Sequence, residues 1–133
     1  MTNIEHIGIA VKDLTTAIPV YEAMLNSLCY KTEVVAREKV NTAFFRVGSS
    51  KIELLESSAA DGVIANFIAK KGEGIHHIAF EVDDILAEME RLKKAGFRLL
   101  HEQPVPGADN KMVCFLHPKS AHGVLVELCM ERK

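Results

Sequence analysis

Four side chains carry the chemistry this sequence could perform: His6, Glu53, His77 and Glu127. They come as two matched pairs. His6 opens the run His6-Ile7-Gly8-Ile9-Ala10-Val11, and seventy-one residues later His77 opens His77-Ile78-Ala79-Phe80-Glu81-Val82. Glu53 sits within Lys51-Ile52-Glu53-Leu54-Leu55, and seventy-four residues later Glu127 sits within Leu125-Val126-Glu127-Leu128-Cys129. A single histidine at the start of a strand is usually a surface or hydrogen-bonded residue, and a single strand glutamate usually faces water. Duplication changes that reading, because equivalent residues of two similar halves would converge on a pseudo-twofold axis. Glu127 is the sharpest of the four: residues 123–128 are otherwise apolar or glycine. An unpaired charge buried there is costly, and a metal ion would offset that cost.

Two imidazoles and two carboxylates suit a divalent ion such as Co, Ni, Mn, Fe or Zn. The absence of cysteine from the set disfavours a closed structural zinc site. An ion with six positions would keep two for water or substrate, and a substrate with oxygens on neighbouring carbons could chelate it. Negative charge arising on a carbonyl oxygen would then be stabilised as a proton leaves the α-carbon, with a carboxylate taking and returning that proton. No flavin or nicotinamide fingerprint and no G-x-x-x-x-G-K phosphate loop is present.

The elements that must position these groups repeat in order. Residues 4–11 alternate, with Ile7, Ile9 and Val11 on one face and His6, Gly8 and Ala10 on the other. The first face needs a helix to cover it; the second leaves room beside the imidazole. Thr15 or Thr16 is positioned to cap a helix running to about Ser27, with Ala17, Val20, Tyr21, Met24, Leu25 and Leu28 as its apolar stripe and Pro19 in its first turn. Strands are expected over 30–36, 40–47 and 51–56, then a polar link, a short helix over 63–71 and a loop to Gly74. The second half repeats the sequence of elements. A strand over 77–82 precedes an amphipathic helix over 85–95 with Ile85, Met89 and Leu92 inward, closed by Gly96. Strands follow over 97–100, 112–116 and 124–129, separated by a Pro/Gly loop over 103–110 and a turn over 117–123. Matching alternation makes His77, not His76, the counterpart of His6. It also places Glu53 and Glu127 on the faces opposite Ile52/Leu54 and Val126/Leu128.

The expected fold is α+β: two βαβββ modules, each sheet covered on one face by its helix, the uncovered faces curving into a cupped, barrel-like eight-stranded sheet. Residues 1–60 form the first module, 61–74 a linker with the short helix, and 75–133 the second module of a single domain. A chain of 133 residues with 48% hydrophobic and 26% charged content supports a real core. A net charge of −2 gives no broad electrostatic case for nucleic acid. Three cysteines without C-x-x-C spacing, Cys29, Cys114 and Cys129, all within apolar runs, point to buried reduced thiols. No apolar run approaches the roughly 20 residues that span a bilayer, and the first residues do not read as a signal peptide. A cytoplasmic protein without a membrane partner is expected.

The paired modules and the His…Glu…His…Glu set resemble the vicinal oxygen chelate superfamily. Within it the resemblance is strongest to the methylmalonyl-CoA epimerases. It rests on Lys51-Ile52-Glu53-Leu54-Leu55-Glu56, on residues 72–85 with their Gly74-Ile75-His76-His77-Ile78-Ala79-Phe80 run, and on the His117-Pro118-Lys119-Ser120 turn before Glu127. That resemblance implies a metal-dependent epimerase acting on an acyl-CoA through an enolate. It implies His6, Glu53, His77 and Glu127 as ligands, with cobalt favoured. It further implies Glu127 as the first acid–base group, Glu53 as a candidate second, and His117, Lys119 and Ser120 near the substrate. A glutamate proposed as the second group in some relatives falls near Thr42 here. Lys70, Lys71 and Lys111 are candidates for the coenzyme A phosphates, or for ordinary solvated lysines. A homodimer with each site inside one chain is expected. The competing readings are a glyoxalase I-like lactoylglutathione lyase and a metal-free small-molecule-binding protein of the resistance type.

Overall fold

The computed structural model describes residues 1–132 and runs β1 (Asn3–Ala10), α1 (Leu14–Leu25), β2 (Lys31–Val35), β3 (Val40–Val47), β4 (Ser50–Ser57), α2 (Val63–Lys71), β5 (Gly74–Glu81), α3 (Ile85–Lys94), β6 (Val105–Gly107), β7 (Lys111–Leu116) and β8 (Val126–Glu131). Short 3₁₀ turns occupy Ala36–Glu38 and Pro118–Ala121. The chain divides into two compact units: His6–His76, and Met1–Glu5 together with the chain from His77 onward. Each is a βαβββ module, as expected from the repeat.

In the first unit the strands lie in the order β2-β3-β4-β1. β3 is antiparallel to both neighbours, and β1 is parallel to β4 with Gly8 beside Glu53. Alternation works as the sequence predicts. Ile9, Val11, Ala43, Phe45, Ile52 and Leu54 turn to α1. Ala10 and Leu55, of opposite parity, meet Val40 and the α2 residues Ile64, Phe67 and Ile68.

The start of α1 differs from expectation. Asp13 is the N-cap, its carboxylate accepting the Thr15 N–H at 2.9 Å. Glu56 accepts the Leu14 N–H and Glu73 the Lys12 N–H, each at 2.8 Å. The Asp13 and Glu56 carboxylates thus satisfy donors of the first helical turn, Glu73 holds the residue before the cap, and neither threonine is needed as the cap. The earlier start puts Pro19 in the second turn. The stripe also shifts: Leu14, Ala17, Ile18, Tyr21 and Leu25 pack inward, whereas Val20, Met24 and Leu28 are 61%, 64% and 75% exposed. This helix is apolar on more than one side, so periodicity alone did not select the buried face.

The second unit repeats the strand order as β6-β7-β8-β5, with β5 parallel to β8. Thr2 N–H donates to Glu81 O at 3.0 Å, tying the chain start to β5. α3, capped by Asp84 through the Ala87 N–H, buries Ile85, Met89 and Leu92 against Val82, Cys114, Leu116 and Leu128. Gly96 takes φ +95° just after the helix, where a side chain would be strained. On the opposite face Ala79, Val113 and Cys129 pack with Val105 and Phe115.

The strand that follows α3 is not residues 97–100. There only Leu99 bridges β7, opposite Leu116. The strand is β6, inside the expected loop, with Pro106 opposite Met112. Pro104 and Pro106 weigh against a strand in sequence, yet β6 closes the strand order of its unit, where a missing N–H is tolerated. Gly107 allows the close approach: a Cβ there would meet Val113 Cγ1 at 2.9 Å. β8 likewise begins at Val126 and not at 124, because the 3₁₀ turn and the positive φ of His122 and Gly123 carry the chain further before it extends.

Candidate functional site

Each unit holds one buried histidine–carboxylate pair. In the first, His6 Nδ1 lies 3.1 Å from Glu53 Oε2, and the residues are 4% and 3% exposed. In the second, His77 Nε2 lies 3.1 Å from Glu127 Oε1, at 5% and 6% exposure. The strands explain both. The histidine is the fourth residue of its module's eight-residue first strand. Two residues on comes a residue too small to fill the space beside the carboxylate. That residue is Gly8 next to Glu53 and Ala79 next to Glu127. The imidazole takes the room so left.

On its other side each carboxylate faces a phenylalanine across an antiparallel pair, Phe44 opposite Glu53 and Phe115 opposite Glu127. A second ring leans on each. Tyr30 meets Phe44 with centroids 6.1 Å apart and planes at 45°; His101 meets Phe115 at 6.1 Å and 46°. Lys31 adds its ammonium 4.6 Å above the Phe44 ring. Sequence reasoning missed these rings. The offset of seventy-one that pairs His6 with His77 also pairs Tyr30 with His101 and Phe44 with Phe115, so applying it to every ring would have found them.

The neighbouring histidine behaves differently: His76 sets its ring edge-on to Phe67 of α2, at 4.9 Å and 81°. Thr42, 1% exposed, stands opposite Glu33 and Leu55 and supplies no carboxylate. In the 3₁₀ turn, His117 Nδ1 accepts the Lys119 N–H at 3.0 Å, and Ser120 Oγ accepts the Arg98 N–H at 2.9 Å. These side chains therefore shape the turn, while Lys119 is exposed. Lys111 departs from expectation: it is 7% exposed and ion-paired with Glu131 across β7 and β8, so it is neither a solvated loop lysine nor open to a phosphate. Lys70 and Lys71 close α2, and Lys71 places its ammonium 5.7 Å from the Phe67 ring.

Both pairs offer nitrogen and oxygen donors, buried among apolar strands. That is the donor chemistry borderline divalent first-row ions prefer, and charged carboxylates at this depth favour a cation over an empty apolar setting. The three cysteines form no disulfide: Cys114 and Cys129 are buried, Cys29 half-buried. Burial pushes the Cys114 thiol up from its ordinary value. Among the described residues no helix is long and apolar enough to cross a membrane.

Residues 5–115 match the model of the Glyoxalase/Bleomycin resistance protein/Dioxygenase superfamily. The chain is 42% identical over 127 residues to an ethylmalonyl-CoA/methylmalonyl-CoA epimerase of Cereibacter sphaeroides, covering 94% of this chain and 95% of the relative. It is 41% identical over 126 residues to a mitochondrial methylmalonyl-CoA epimerase of Homo sapiens, covering 94% and 72%. Its structure is similar to that of a Streptomyces coelicolor methylmalonyl-CoA epimerase variant in complex with 2-nitronate-propionyl-CoA. The TM-score is 0.94 at 36% identity, covering 98% of this chain and 95% of the other.

Proposed function

Because the chain belongs to the methylmalonyl-CoA epimerase family of the glyoxalase, bleomycin resistance protein and dioxygenase superfamily, we propose that it interconverts the (R) and (S) forms of methylmalonyl-CoA. The observation that carries this reading is the duplication of a buried histidine–carboxylate pair, His6–Glu53 and His77–Glu127, on equivalent strands of two modules.

In this reading His6, Glu53, His77 and Glu127 would be the ligands of a divalent ion from the set Co, Ni, Mn, Fe and Zn. Family likeness favours cobalt. When bound, such an ion supplies Lewis-acid stabilisation for negative charge developing on the substrate's thioester oxygen. The chain's own residues do the rest. Glu127 Oε1 or Oε2 takes the proton from C2 of the methylmalonyl group, leaving an enolate. A proton returned to the opposite face inverts that carbon, and Glu53 is the group we assign to that face. The phenylalanine opposite each carboxylate and the apolar strands around it limit water there, which strengthens the electrostatic interactions the carboxylates make. His117, Lys119 and Ser120 stand on one turn, where Lys119 is free to meet an anionic part of the acyl-CoA.

A homodimer in the cytoplasm completes the proposal. The three free thiols suit a reducing compartment.

The test is incorporation of deuterium at C2 of methylmalonyl-CoA in D₂O, run beside an assay with methylglyoxal and glutathione and an elemental analysis of the protein. We expect exchange and racemisation with methylmalonyl-CoA and a bound divalent ion. Turnover of the glutathione hemithioacetal alone would assign a glyoxalase I-like lyase instead. Absence of any ion, with no activity after metal addition, would assign a binding protein.

A further inference from the structure

The second unit contains a ring cluster whose contact with His77 the proposed reaction does not use. Phe115, opposite Glu127 on the neighbouring strand, presents its ring to His77 edge to face, with centroids 5.6 Å apart and planes at 80°. His101 leans on the same phenylalanine at 6.1 Å. We propose that Phe115, backed by His101, is a positioning residue that fixes the plane of the His77 imidazole and so holds His77 ready to ligate. The proposal rests on the metal-dependent reading above.

Three observations support it. The terminal torsion of a histidine is broad and roughly two-fold, so a contact at Nε2 does not by itself fix the ring plane. A perpendicular aromatic neighbour removes that freedom, because edge-to-face is the favoured arrangement for such rings. Second, Phe44 is fully buried whereas Phe115 is only half-buried. Phe115 is thus less a filler of the core than its counterpart, and its ring is set against a histidine. Third, the leaning ring recurs in both modules with near-identical geometry although it is tyrosine in one and histidine in the other. What the two halves share is ring against ring. His101 therefore acts as a buttress and not through imidazole chemistry.

Partners that orient a metal-ligating histidine typically change metal affinity by about 10- to 100-fold. The variants Phe115→Leu, Phe115→Tyr and His101→Tyr, made in the full chain, test the assignment with three measurements. These are Co²⁺ titration followed by the cobalt d–d absorption, the ¹³C order parameter of the His77 ring in metal-free protein, and kcat and KM with methylmalonyl-CoA. We expect Phe115→Leu to weaken Co²⁺ binding about tenfold or more, to shift the d–d bands and to lower the His77 order parameter. Phe115→Tyr should restore all three, and His101→Tyr should leave Co²⁺ affinity within about twofold of the parent, since it copies the other module. If Phe115→Leu does not fold, Phe115→Met, which keeps volume and removes the ring, gives the same reading. A folded ringless variant with unchanged order parameter and Co²⁺ affinity overturns the proposal. A large loss in His101→Tyr overturns the buttress role of His101. A parent protein that takes up no Co²⁺ overturns the metal-dependent reading itself, and the order parameter still decides whether Phe115 positions His77.

Discussion

Phe115 and Glu127 face each other across the antiparallel pair of β7 and β8, and Ala79 flanks the same carboxylate on β5. Glu127 therefore stands between a phenylalanine on one side and an alanine on the other, with the His77 Nε2 3.1 Å from its Oε1. Phe44, Glu53, Gly8 and His6 reproduce the arrangement in the first module. The two carboxylates are equivalent in place but not in surroundings, because Phe44 carries the Lys31 ammonium over its face and Phe115 carries a histidine ring beside it.

That asymmetry ranks the two glutamates. Glu127→Gln keeps shape and an oxygen donor but cannot accept the C2 proton. General acid–base groups contribute about 10²- to 10⁴-fold, so deuterium uptake into methylmalonyl-CoA should fall by about two to three orders of magnitude. Glu53→Gln also keeps an oxygen donor but cannot return a proton to the opposite face, so inversion at C2 should fall by about 10²-fold or more, while deuterium uptake from the Glu127 face falls about tenfold or less. A larger loss in Glu53→Gln than in Glu127→Gln would move the first acid–base role to Glu53.

The repeat was legible because His6, His77, Glu53 and Glu127 sit in short runs whose alternation survives in the fold. Val126 and Leu128 turn to α3 while Ala79, Phe115 and Cys129 share the other face. What escaped reading has physical causes. β6 contains Pro106, and proline suppresses strand propensity without forbidding an edge strand. The α1 face was ambiguous because Val20, Met24 and Leu28 are as apolar as Ile18 and Leu25, and packing against Val11, Phe45 and Leu54 of the sheet, which lies outside local periodicity, selects which side turns in. The ring pairs lie far apart in sequence and carry no local periodicity, so only comparison of the halves exposes them. Lys111 looked like a loop lysine because its partner Glu131 is twenty residues away.

Glu56 links the start of α1 to the sheet, accepting the Leu14 N–H at 2.8 Å and the Asn41 side-chain amide at 3.0 Å. Removing a capping acceptor costs about 1 to 2 kcal/mol, and Glu56→Ala should lower the urea-unfolding free energy by about that amount. Glu56→Gln, which keeps an acceptor and loses the charge at a helix N-terminus, should cost about 0.3 to 1 kcal/mol. Both variants should retain full epimerase activity, since the side chain turns to α1 and away from the face that carries Glu53.

The two sides of α1 make opposite predictions. Met24 is 64% exposed, and Met24→Gln should change stability by no more than about 0.5 kcal/mol. Ile18 packs with Val11, Phe45 and Leu54, and Ile18→Ala should cost about 1 to 3 kcal/mol, below the cost at a fully enclosed isoleucine because the residue is only half-buried. Equilibrium unfolding in urea measures both. Equal costs at the two positions would mean that α1 is rotated on its sheet.

Cys114 ties burial to pH. Its side chain is enclosed between the sheet and α3, and desolvation raises the thiol above its ordinary value of 9.0. In the unfolded chain the thiol ionises at its ordinary value, so above about pH 9 the unfolded state binds fewer protons than the folded one. The contribution is therefore fully present below pH 9 and is lost as pH rises through and beyond it. Thermal unfolding followed between pH 7.5 and 10.5 should show a steeper alkaline fall for the parent than for Cys114→Ala, whose neutral side chain has nothing to ionise. The same burial predicts an order of alkylation: at pH 8 iodoacetamide should label the half-buried Cys29 first, and label Cys114 and Cys129 only after denaturant opens the core. Peptide mapping by mass spectrometry reads that order directly, and rapid native labelling of Cys114 would contradict its place beneath α3.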